Sequence, residues 1–325
     1  MSRSAKVSRR GEVRRVKTYE TIIIGGGPAG LSAGIYAMRS RLDTILVERF
    51  MPGGQMVIVD FIENYPGFPE GVHGPEIGAA MELQARNLGL EIVSSDVLSV
   101  DFSGREKIVK TSDGELRAPT VIIATGAIPR RLGVPGEGRL TGKGVSYCAT
   151  CDGALFRDKE IAVVGGGNTA IQDASFLARF ASKLTIIHRR DALRATKILQ
   201  ERISKNPKIE ILWNSVVVEM QGDPKLENLV VENVVDRTRK PLPVDGCFVL
   251  IGTDPNTEFL RGVITLDPTG YIITDEDMHT SVPGVFAAGD CRRKSLRQMV
   301  TAAADGAVAA IAAEQHIESL KDKGL

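Results

Sequence analysis

The amino-acid sequence predicts an α/β protein with two doubly wound, Rossmann-like domains, the second inserted into the first. Two observations lead to this class. A strand, a Gly-rich turn and a helix follow one another twice along the chain, and the parts that complete the first sheet lie on both sides of the second repeat. The 325 residues are sufficient for two hydrophobic cores.

The first Gly-rich turn follows the apolar run TIII and precedes the helical segment LSAGIYAMRS. Gly25, Gly27 and Gly30 fit the pattern GxGxxG, whose glycines allow a tight turn, backbone approach to a pyrophosphate and close helix packing. The next apolar strand ends at Glu48, whose carboxylate can accept hydrogen bonds from both hydroxyls of a ribose. This segment predicts a dinucleotide site.

The pattern returns in IAVVGGGNTA, with Gly165 and Gly167 and with Ala170 in the third position. The following strand ends at His188, at the same offset from its turn as Glu48 has from the first turn. Here the acid is replaced by a basic cluster. Such a cluster favours a ribose 2′-phosphate, because guanidinium groups pair bidentately with phosphate. Both domains are therefore expected to bind nucleotides, and the second is expected to bind NADP.

The basic cluster consists of His188, Arg189 and Arg190. Arg194 is expected one helical turn beyond Arg190, in a helix formed by DALRATKILQER, where it would add a third guanidinium. The alternative for Arg194 is an ordinary solvated helix face.

The two repeats imply a discontinuous first domain. We place it at 18–127 and 255–325, with the second domain at 128–253. The joins GAIPRRLGVPGEG and GTDPNT contain the Gly and Pro typical of linkers. Asp290 follows the strand GVFAAG, so we expect it at the carboxyl edge of the first sheet, where such sheets hold ligands.

Charge and hydropathy exclude some functions. The 41 Lys and Arg residues against 40 Asp and Glu residues provide no global field for nucleic acid, and we expect no nucleic-acid partner. The basic run at 1–17 predicts a disordered tail, with an organellar presequence or a nucleic-acid arm as the alternatives. No segment is long and apolar enough to span a bilayer, so we expect a soluble protein with no membrane partner. Because the basic run contains no apolar segment typical of a secretory signal, we expect a cytoplasmic location.

Four cysteines are present, and two of them form the motif Cys148-Ala-Thr-Cys151. The motif alone fits half of a zinc site, a structural staple or a redox pair. Cys247 and Cys291 show no paired spacing, which argues against zinc, and we expect no metal. We expect Cys247 to be a buried strand residue and Cys291 a loop thiol, both inert.

Beyond about residue 18, the chain resembles the low-molecular-weight thioredoxin reductases of bacteria and archaea. The motifs that carry the resemblance are GGGPAG, GGQ, ENYPGF, ATGA, CATCD, GGGNTA, HRR and AAGD. The glutathione-reductase type is less similar, because its redox cysteines lie within the first FAD region. The resemblance implies FAD in the first domain, NADPH in the second, a thioredoxin as the protein substrate and a homodimer.

The resemblance also implies site residues. Those for FAD are Gly25, Gly27, Pro28, Ala29, Gly30, Glu48, Gly54, Gln55, Asn64, Val97, Thr125, Gly126, Gly289, Asp290, Arg297 and Gln298. Those for NADPH are Gly165, Gly167, Asn168, Thr169, His188, Arg189, Arg190 and Arg194. Asn64 and Gln298 have an alternative as polar loop residues satisfied locally. One departure is the segment Ile171-Gln172-Asp173, where the family often has two adjacent glutamates.

By the family pattern, Cys151 faces the flavin and Cys148 is the interchange thiol that attacks the substrate disulfide. Asp152 would protonate the leaving thiolate, with a helix N-cap as an alternative or additional role. Because the dithiol and the NADP turn belong to one domain and the flavin to the other, we expect the inserted domain to rotate between half-reactions.

Two other functions remain open from the sequence. One is a related flavin disulfide reductase or NAD(P)H oxidase that serves a peroxiredoxin system or prefers NADH. The other is a redox-sensing flavoprotein that binds a partner without turnover.

Overall fold

The computed structural model describes residues 16–59 and 61–324. The tail expected at 1–17 lies outside the described residues, except for Val16 and Lys17, which begin the first strand. Among the described residues, no helix combines the length and apolar character needed to cross a membrane.

The chain divides into two compact units. Unit 1 comprises the described residues up to Met56, Glu76–Gly126 and the chain from Pro255 onward, and unit 2 comprises Val57–Pro75 and Ala127–Asp254. The segment Val57–Pro75 thus packs with unit 2, although the sequence assigned it to the first domain. The domain boundaries drawn from the sequence stay a prediction.

Strands occur throughout the described chain. They are β1 (Val16–Thr18), β2 (Thr21–Ile24), β3 (Thr44–Glu48), β4 (Phe61–Ile62), β5 (Val72–His73), β6 (Glu91–Ser94), β7 (Val97–Asp101), β8 (Lys107–Thr111), β9 (Glu115–Ala118), β10 (Thr120–Ile123), β11 (Ala127–Pro129), β12 (Val145–Ser146), β13 (Glu160–Val164), β14 (Lys183–Ile187), β15 (Ile209–Leu212), β16 (Ser215–Gln221), β17 (Asn228–Asn233), β18 (Arg239–Pro243), β19 (Gly246–Val249), β20 (Thr253–Pro255) and β21 (Val285–Ala287).

The α-helices differ widely in length. They are α1 (Pro28–Arg39), α2 (Gly74–Asn87), α3 (Glu137–Leu140), α4 (Ala149–Asp152), α5 (Asn168–Leu177), α6 (Lys197–Ser204) and α7 (Met299–Asp322). Short 3-10 helices cover Gly54–Ile58, Gly153–Phe156, Glu258–Leu260 and Gly289–Cys291.

Unit 1 is built on a five-stranded parallel sheet with strand order β21-β10-β2-β3-β6. β2 and β10 are buried along their whole length, which explains why they read as continuous apolar runs instead of alternating patterns. A four-stranded sheet, β1-β9-β8-β7, packs beside it through a shared core. Since parallel strands end at one edge, the residues that follow β2, β3, β10 and β21 meet there.

Unit 2 contains a second five-stranded parallel sheet, β12-β19-β13-β14-β15. One core cluster packs α5 and α6 on this sheet, and another packs it against the antiparallel sheet β16-β17-β18. The predicted α/β class is confirmed by these two parallel sheets. β11 and β20, which lie at two of the four points where the chain passes from one unit to the other, pair with each other.

Candidate active site

The first Gly-rich turn joins β2 to α1. A Cβ on Gly25, whose φ is +107°, would lie 2.4 Å from the Ala124 carbonyl oxygen, and a Cβ on Gly30 would lie 1.8 Å from the Gly25 oxygen. Only glycine fits at these two positions. Gly27 is the N-cap of α1 and makes no side-chain cap, and a Cβ there would have Gly54 Cα as its nearest atom, at 3.9 Å. The first N–H groups of α1 are thus arranged as in a pyrophosphate site.

Glu48 ends the neighbouring strand β3 and points back to this turn. Its Oε2 accepts a hydrogen bond of 2.6 Å from the Gly26 N–H, and its Oε1 accepts one of 3.1 Å from the Phe50 N–H. Each carboxylate oxygen can accept a further hydrogen bond. The backbone therefore fixes the orientation of the carboxylate while leaving capacity for the hydroxyls of a ribose.

Asp290 follows β21 at the same edge of the sheet. Burial raises the pKa of its carboxyl, while Lys294 and Arg297 act in the opposite direction. Among the described residues, its buried Oδ1 has no hydrogen-bond partner, and neither has the buried Nε of Arg297. The Arg297 guanidinium stacks over the Tyr271 ring at 4.1 Å. Buried polar atoms without a protein partner are rare and indicate that a ligand completes the site.

The other residues expected at FAD, with the exception of Asn64, belong to unit 1. Pro28 and Ala29 begin α1, Gly54 and Gln55 begin a 3-10 helix, Val97 begins β7, Thr125 and Gly126 follow β10, Gly289 precedes Asp290, and Gln298 caps α7. Gln298 forms a capping box with Thr301, which is the local role considered as its alternative. FAD fits this arrangement, which combines the first Gly-rich turn, the Glu48 carboxylate, and the buried Asp290 Oδ1 and Arg297 Nε that have no protein partner among the described residues.

The second Gly-rich turn joins β13 to α5. Gly167 is the N-cap of α5, with no side-chain cap and with no atom within 4 Å of a Cβ built on it. Asn168 and Thr169 form the first turn of α5. The Asn168 Oδ1 accepts a hydrogen bond of 2.9 Å from the Thr196 N–H. Part of the Asn168 side chain thus orders the loop before α6, and the helix N-terminus itself is arranged as for a phosphate.

The basic cluster after β14 divides into two environments. His188 is buried, and a Cβ on Gly166 would lie 2.3 Å from its ring. Burial lowers the pKa of His188, the hydrogen bond with the Ala192 carbonyl opposes this, and the neighbouring arginines lower the pKa further, so the surroundings favour the neutral ring. Arg189 and Arg190 are exposed. The exposed arginines carry positive charge suited to a 2′-phosphate, and together with the Gly-rich turn they fit NADPH.

The predicted helix around Arg194 is wrong. α6 begins at Lys197, and Arg194 lies in the loop before it. The reason is that the N–H groups of Arg194 and Ala195 donate to the Gly166 oxygen, at 2.8 and 3.2 Å, instead of entering a helix. The Arg194 side chain is exposed, and its backbone is tied directly to the Gly-rich turn.

Cys148 and Cys151 form a disulfide with an S–S distance of 2.10 Å. Cys148 is the N-cap of the short helix α4, and its Sγ accepts a hydrogen bond of 3.2 Å from the Cys151 N–H. An N–H donor aimed at sulfur favours the thiolate. The arrangement favours Cys148 as the thiolate once the bond is reduced.

Asp152 is the last residue of α4 and is held by Ser146, a residue that the sequence analysis missed. The Ser146 hydroxyl donates to Asp152 Oδ2 at 2.6 Å and accepts from the Cys148 N–H at 3.1 Å. Burial raises the pKa of Asp152, while this hydrogen bond lowers it and Glu63 raises it. A serine two residues before Cys148 could have been recognised from the tendency of hydroxyls to bond nearby backbone N–H groups.

Asn64, expected along the flavin, lies in unit 2 with the dithiol motif. Its Nδ2 donates to the Thr150 carbonyl oxygen at 3.5 Å, and the adjacent Glu63 influences Asp152. The segment Val57–Pro75 and the CATCD motif are therefore neighbours.

The other two cysteines are fully buried. Cys247 lies in β19, as predicted, and Cys291 closes a buried 3-10 helix instead of lying in an open loop. Burial raises the pKa of Cys247 to about 12 and that of Cys291 to about 11. Both stay protonated thiols at neutral pH. Within the described ranges, no group of His, Cys, Asp and Glu could hold a metal ion.

Comparison with known proteins agrees with this geometry. A family model described as pyridine nucleotide-disulphide oxidoreductase matches residues 19–306. The chain belongs to this family. Within the family, it is 50% identical over 307 residues to a thioredoxin reductase of Peptoclostridium acidaminophilum, covering 93% of this chain and 98% of the relative. It is 46% identical over 307 residues to a thioredoxin reductase of Listeria monocytogenes, covering 94% and 96%.

Two solved structures extend the family comparison. Thioredoxin reductase from Streptococcus pyogenes is 46% identical and superimposes with a TM-score of 0.90 over 93% of this chain and 99% of its own. The FR conformation of Lactococcus lactis thioredoxin reductase is 44% identical and has a TM-score of 0.64 over 93% and 100%. The resemblance to thioredoxin reductases found in the sequence is confirmed.

Proposed function

We propose that the chain is an FAD-dependent thioredoxin reductase that takes electrons from NADPH and reduces the disulfide of a thioredoxin. The observation that carries the proposal is the Cys148–Cys151 disulfide, with Asp152 beside it, in the same unit as a nucleotide turn flanked by exposed arginines. The names of the relatives support thioredoxin as the protein substrate.

Each cofactor has a set of residues to hold it. In unit 1, FAD would be held by the turn Gly25–Gly30, Glu48, Thr125, Asp290 and Arg297. In unit 2, the turn after β13 would bind the NADPH pyrophosphate, and the exposed arginines would bind its 2′-phosphate. FAD, when bound, accepts two electrons from a reduced nicotinamide and can pass them to a disulfide.

The chain's own residues carry out the disulfide exchange. Cys148, as the thiolate, attacks the substrate disulfide and forms a mixed disulfide, which Cys151 then resolves. The Cys151 N–H stabilises negative charge on the Cys148 sulfur. Asp152 gives a proton to the leaving substrate thiolate. Glu63 and burial support this role, because both raise the pKa of Asp152.

Turnover requires unit 2 to rotate relative to unit 1. The dithiol and the NADPH turn belong to unit 2, so both cannot use one flavin at the same time. Two relatives of nearly equal identity and coverage give TM-scores of 0.90 and 0.64, and one of them is named for a particular conformation. That difference supports more than one arrangement of units among the relatives.

The protein is further proposed to be a cytoplasmic homodimer. Support comes from the family resemblance and from a CxxC that must be re-reduced at each turnover, which suits a reducing compartment.

The test is reduction of a thioredoxin by the purified FAD-loaded protein, followed through a disulfide dye, with NADPH and NADH compared. We expect turnover with NADPH and a much higher KM for NADH. Preference for NADH, or transfer only to a peroxiredoxin-type partner, would favour the related flavin disulfide reductases. Flavin reduction without turnover on any disulfide protein would favour a sensor.

A further inference from the structure

Ser146 occupies a buried position between the two ends of the dithiol motif. It ends β12, the edge strand that pairs with β19, and only 5% of its surface is exposed. Its Oγ lies 2.6 Å from Asp152 Oδ2, 3.1 Å from the Cys148 nitrogen and 3.3 Å from the Cys148 carbonyl oxygen. One hydroxyl therefore links the carboxyl of Asp152 to the backbone of Cys148, the proposed interchange thiol.

A serine hydroxyl has one proton to donate and two lone pairs that accept. When Asp152 is ionised, the proton goes to Oδ2, and the Cys148 N–H occupies one lone pair. When Asp152 is protonated on Oδ2, it can donate to the Ser146 oxygen, and the Ser146 proton can turn to the Cys148 carbonyl. The Ser146 hydroxyl, with the N–H and the carbonyl of Cys148 as its own partners, can therefore form a hydrogen bond with Asp152 in both protonation states of the acid.

The influences on the pKa of Asp152 oppose one another. Burial is the largest influence and favours the neutral acid, the Ser146 hydrogen bond favours the carboxylate, and Glu63 favours the neutral acid. On α5, which packs against α4, the titratable residue is Asp173, and the 3-10 helix Gly153–Phe156 after α4 carries none. Ser146 is the one group in this set that stabilises the ionised form.

We propose that Ser146 is a positioning residue that holds the Asp152 carboxyl against the backbone of Cys148, so that Asp152 can both release and regain the proton of the exchange step. This rests on the proposed function. It assigns a role to a residue outside the CxxC-Asp motif, one that acts through Asp152 and the Cys148 backbone.

The proton count of the step balances. The Cys148 thiolate attacks the substrate disulfide, the substrate S–S bond breaks, and the leaving thiolate takes the Asp152 proton. Asp152 then takes the proton of Cys151. The Cys151 thiolate attacks the mixed disulfide, the Cys148–Cys151 bond forms, and the second substrate thiolate receives that proton from Asp152. The dithiol is oxidised, and the substrate leaves as two thiols.

The experiment compares Ser146→Thr with Ser146→Val, which have the same shape and differ in the hydroxyl. Thr185→Val is the matched control, because Thr185 is also a buried residue of unit 2 that donates to a carboxylate, Glu210, at 2.9 Å. Flavin reduction by NADPH in stopped flow, and the melting temperature, report whether each variant is folded and loaded. The dependence of the thioredoxin reduction rate on pH reports the exchange step. The limb of this rate–pH curve that disappears in Asp152→Asn is the one that reports the ionisation of Asp152.

In Ser146→Val we expect thioredoxin reduction about tenfold slower, the factor for one lost buried hydrogen bond, with flavin reduction unchanged. The falling limb that belongs to Asp152 should move to higher pH, because the group that stabilises the carboxylate is gone. Ser146→Thr should keep the parent profile. An unchanged profile in Ser146→Val, or an equal loss at every pH, would overturn the inference. A parent enzyme that does not reduce thioredoxin would instead refute the proposed function.

Discussion

The Glu48 carboxylate accepts a hydrogen bond of 2.6 Å from the backbone N–H of Gly26, in the middle of the first Gly-rich turn. The end of one strand thereby fixes the turn that follows the neighbouring strand. The acid and the turn act as one site, since the residue that would bind a ribose also orders the residues that would bind the pyrophosphate.

Replacement of Glu48 by Gln should weaken FAD binding. The amide loses the negative charge that strengthens hydrogen bonds from ribose hydroxyls, a loss of about 1.5–3 kcal/mol, or roughly tenfold to hundredfold in Kd. The measurement is flavin titration of the apoprotein. Glu20→Gln is the control, because Glu20 also accepts a backbone N–H in unit 1, from Asp43 at 3.0 Å. Equal FAD affinities in both variants would show that Glu48 only braces the turn.

Gly30→Ala should abolish FAD binding and lower the melting temperature. The new Cβ would lie 1.8 Å from the Gly25 oxygen, so the turn and α1 must separate. Gly138→Ala is the control, because its Cβ would have its nearest atom at 4.0 Å, the Nη1 of Arg131. We expect Gly138→Ala to keep the flavin and the melting temperature. A flavin-loaded Gly30→Ala protein of parent stability would contradict the packing described.

Arg190→Gln should raise the KM for NADPH and leave that for NADH unchanged. Only NADPH carries the 2′-phosphate that the exposed guanidinium can bind, and one charged hydrogen-bonded contact corresponds to about tenfold in KM. Steady-state kinetics with both nucleotides provides the measurement. Arg202→Gln, an exposed arginine at the end of α6, is the matched control. A parallel loss with NADPH and NADH would argue against 2′-phosphate recognition.

Asp173→Asn should stabilise the protein above pH 6 and have little effect near pH 4. Burial raises the pKa of Asp173 to about 6 from the ordinary value of 3.8, so the folded state binds the proton more tightly than the unfolded state. Stability is therefore lost as pH rises from about 4 to about 6, and the loss persists above that range. Since the side chain is partly exposed, we expect a gain of about 1 kcal/mol.

Thermal unfolding at pH 4.5 and pH 8 checks this expectation for Asp173. Glu201→Gln removes an exposed carboxylate of α6 and should not change the difference between the two pH values. If Asp173→Asn gave the same shift at both pH values, the effect would come from the shape of the side chain and not from its charge.

The sequence predicted the parts of the site that depend on strand order. Glu48 and His188 stand at equal offsets from their turns because β3 and β14 lie beside β2 and β13 in equivalent parallel sheets. The sequence did not predict interactions between the candidate site and segments outside the strand–turn–helix repeats. The helix expected at Arg194 is displaced by hydrogen bonds to Gly166, and Ser146 gains its place only where the end of β12 meets α4.

The placement of the segment Val57–Pro75 likewise could not be predicted from the sequence. Sequence order assigned it to the first domain, but Asn64 contacts the backbone of Thr150 and Glu63 acts on the carboxyl of Asp152. These contacts join parts of the chain that are far apart in sequence, and no local pattern indicates them.

The most direct test of the central claim, that Cys148 and Cys151 relay electrons between the flavin and the protein substrate, uses Cys148→Ser and Cys151→Ser. Anaerobic stopped flow measures flavin reduction by NADPH, and a parallel assay measures thioredoxin reduction. We expect both variants to bind FAD and to be reduced by NADPH at the parent rate, with thioredoxin reduction lost. Thioredoxin reduction at the parent rate in either variant would contradict the account.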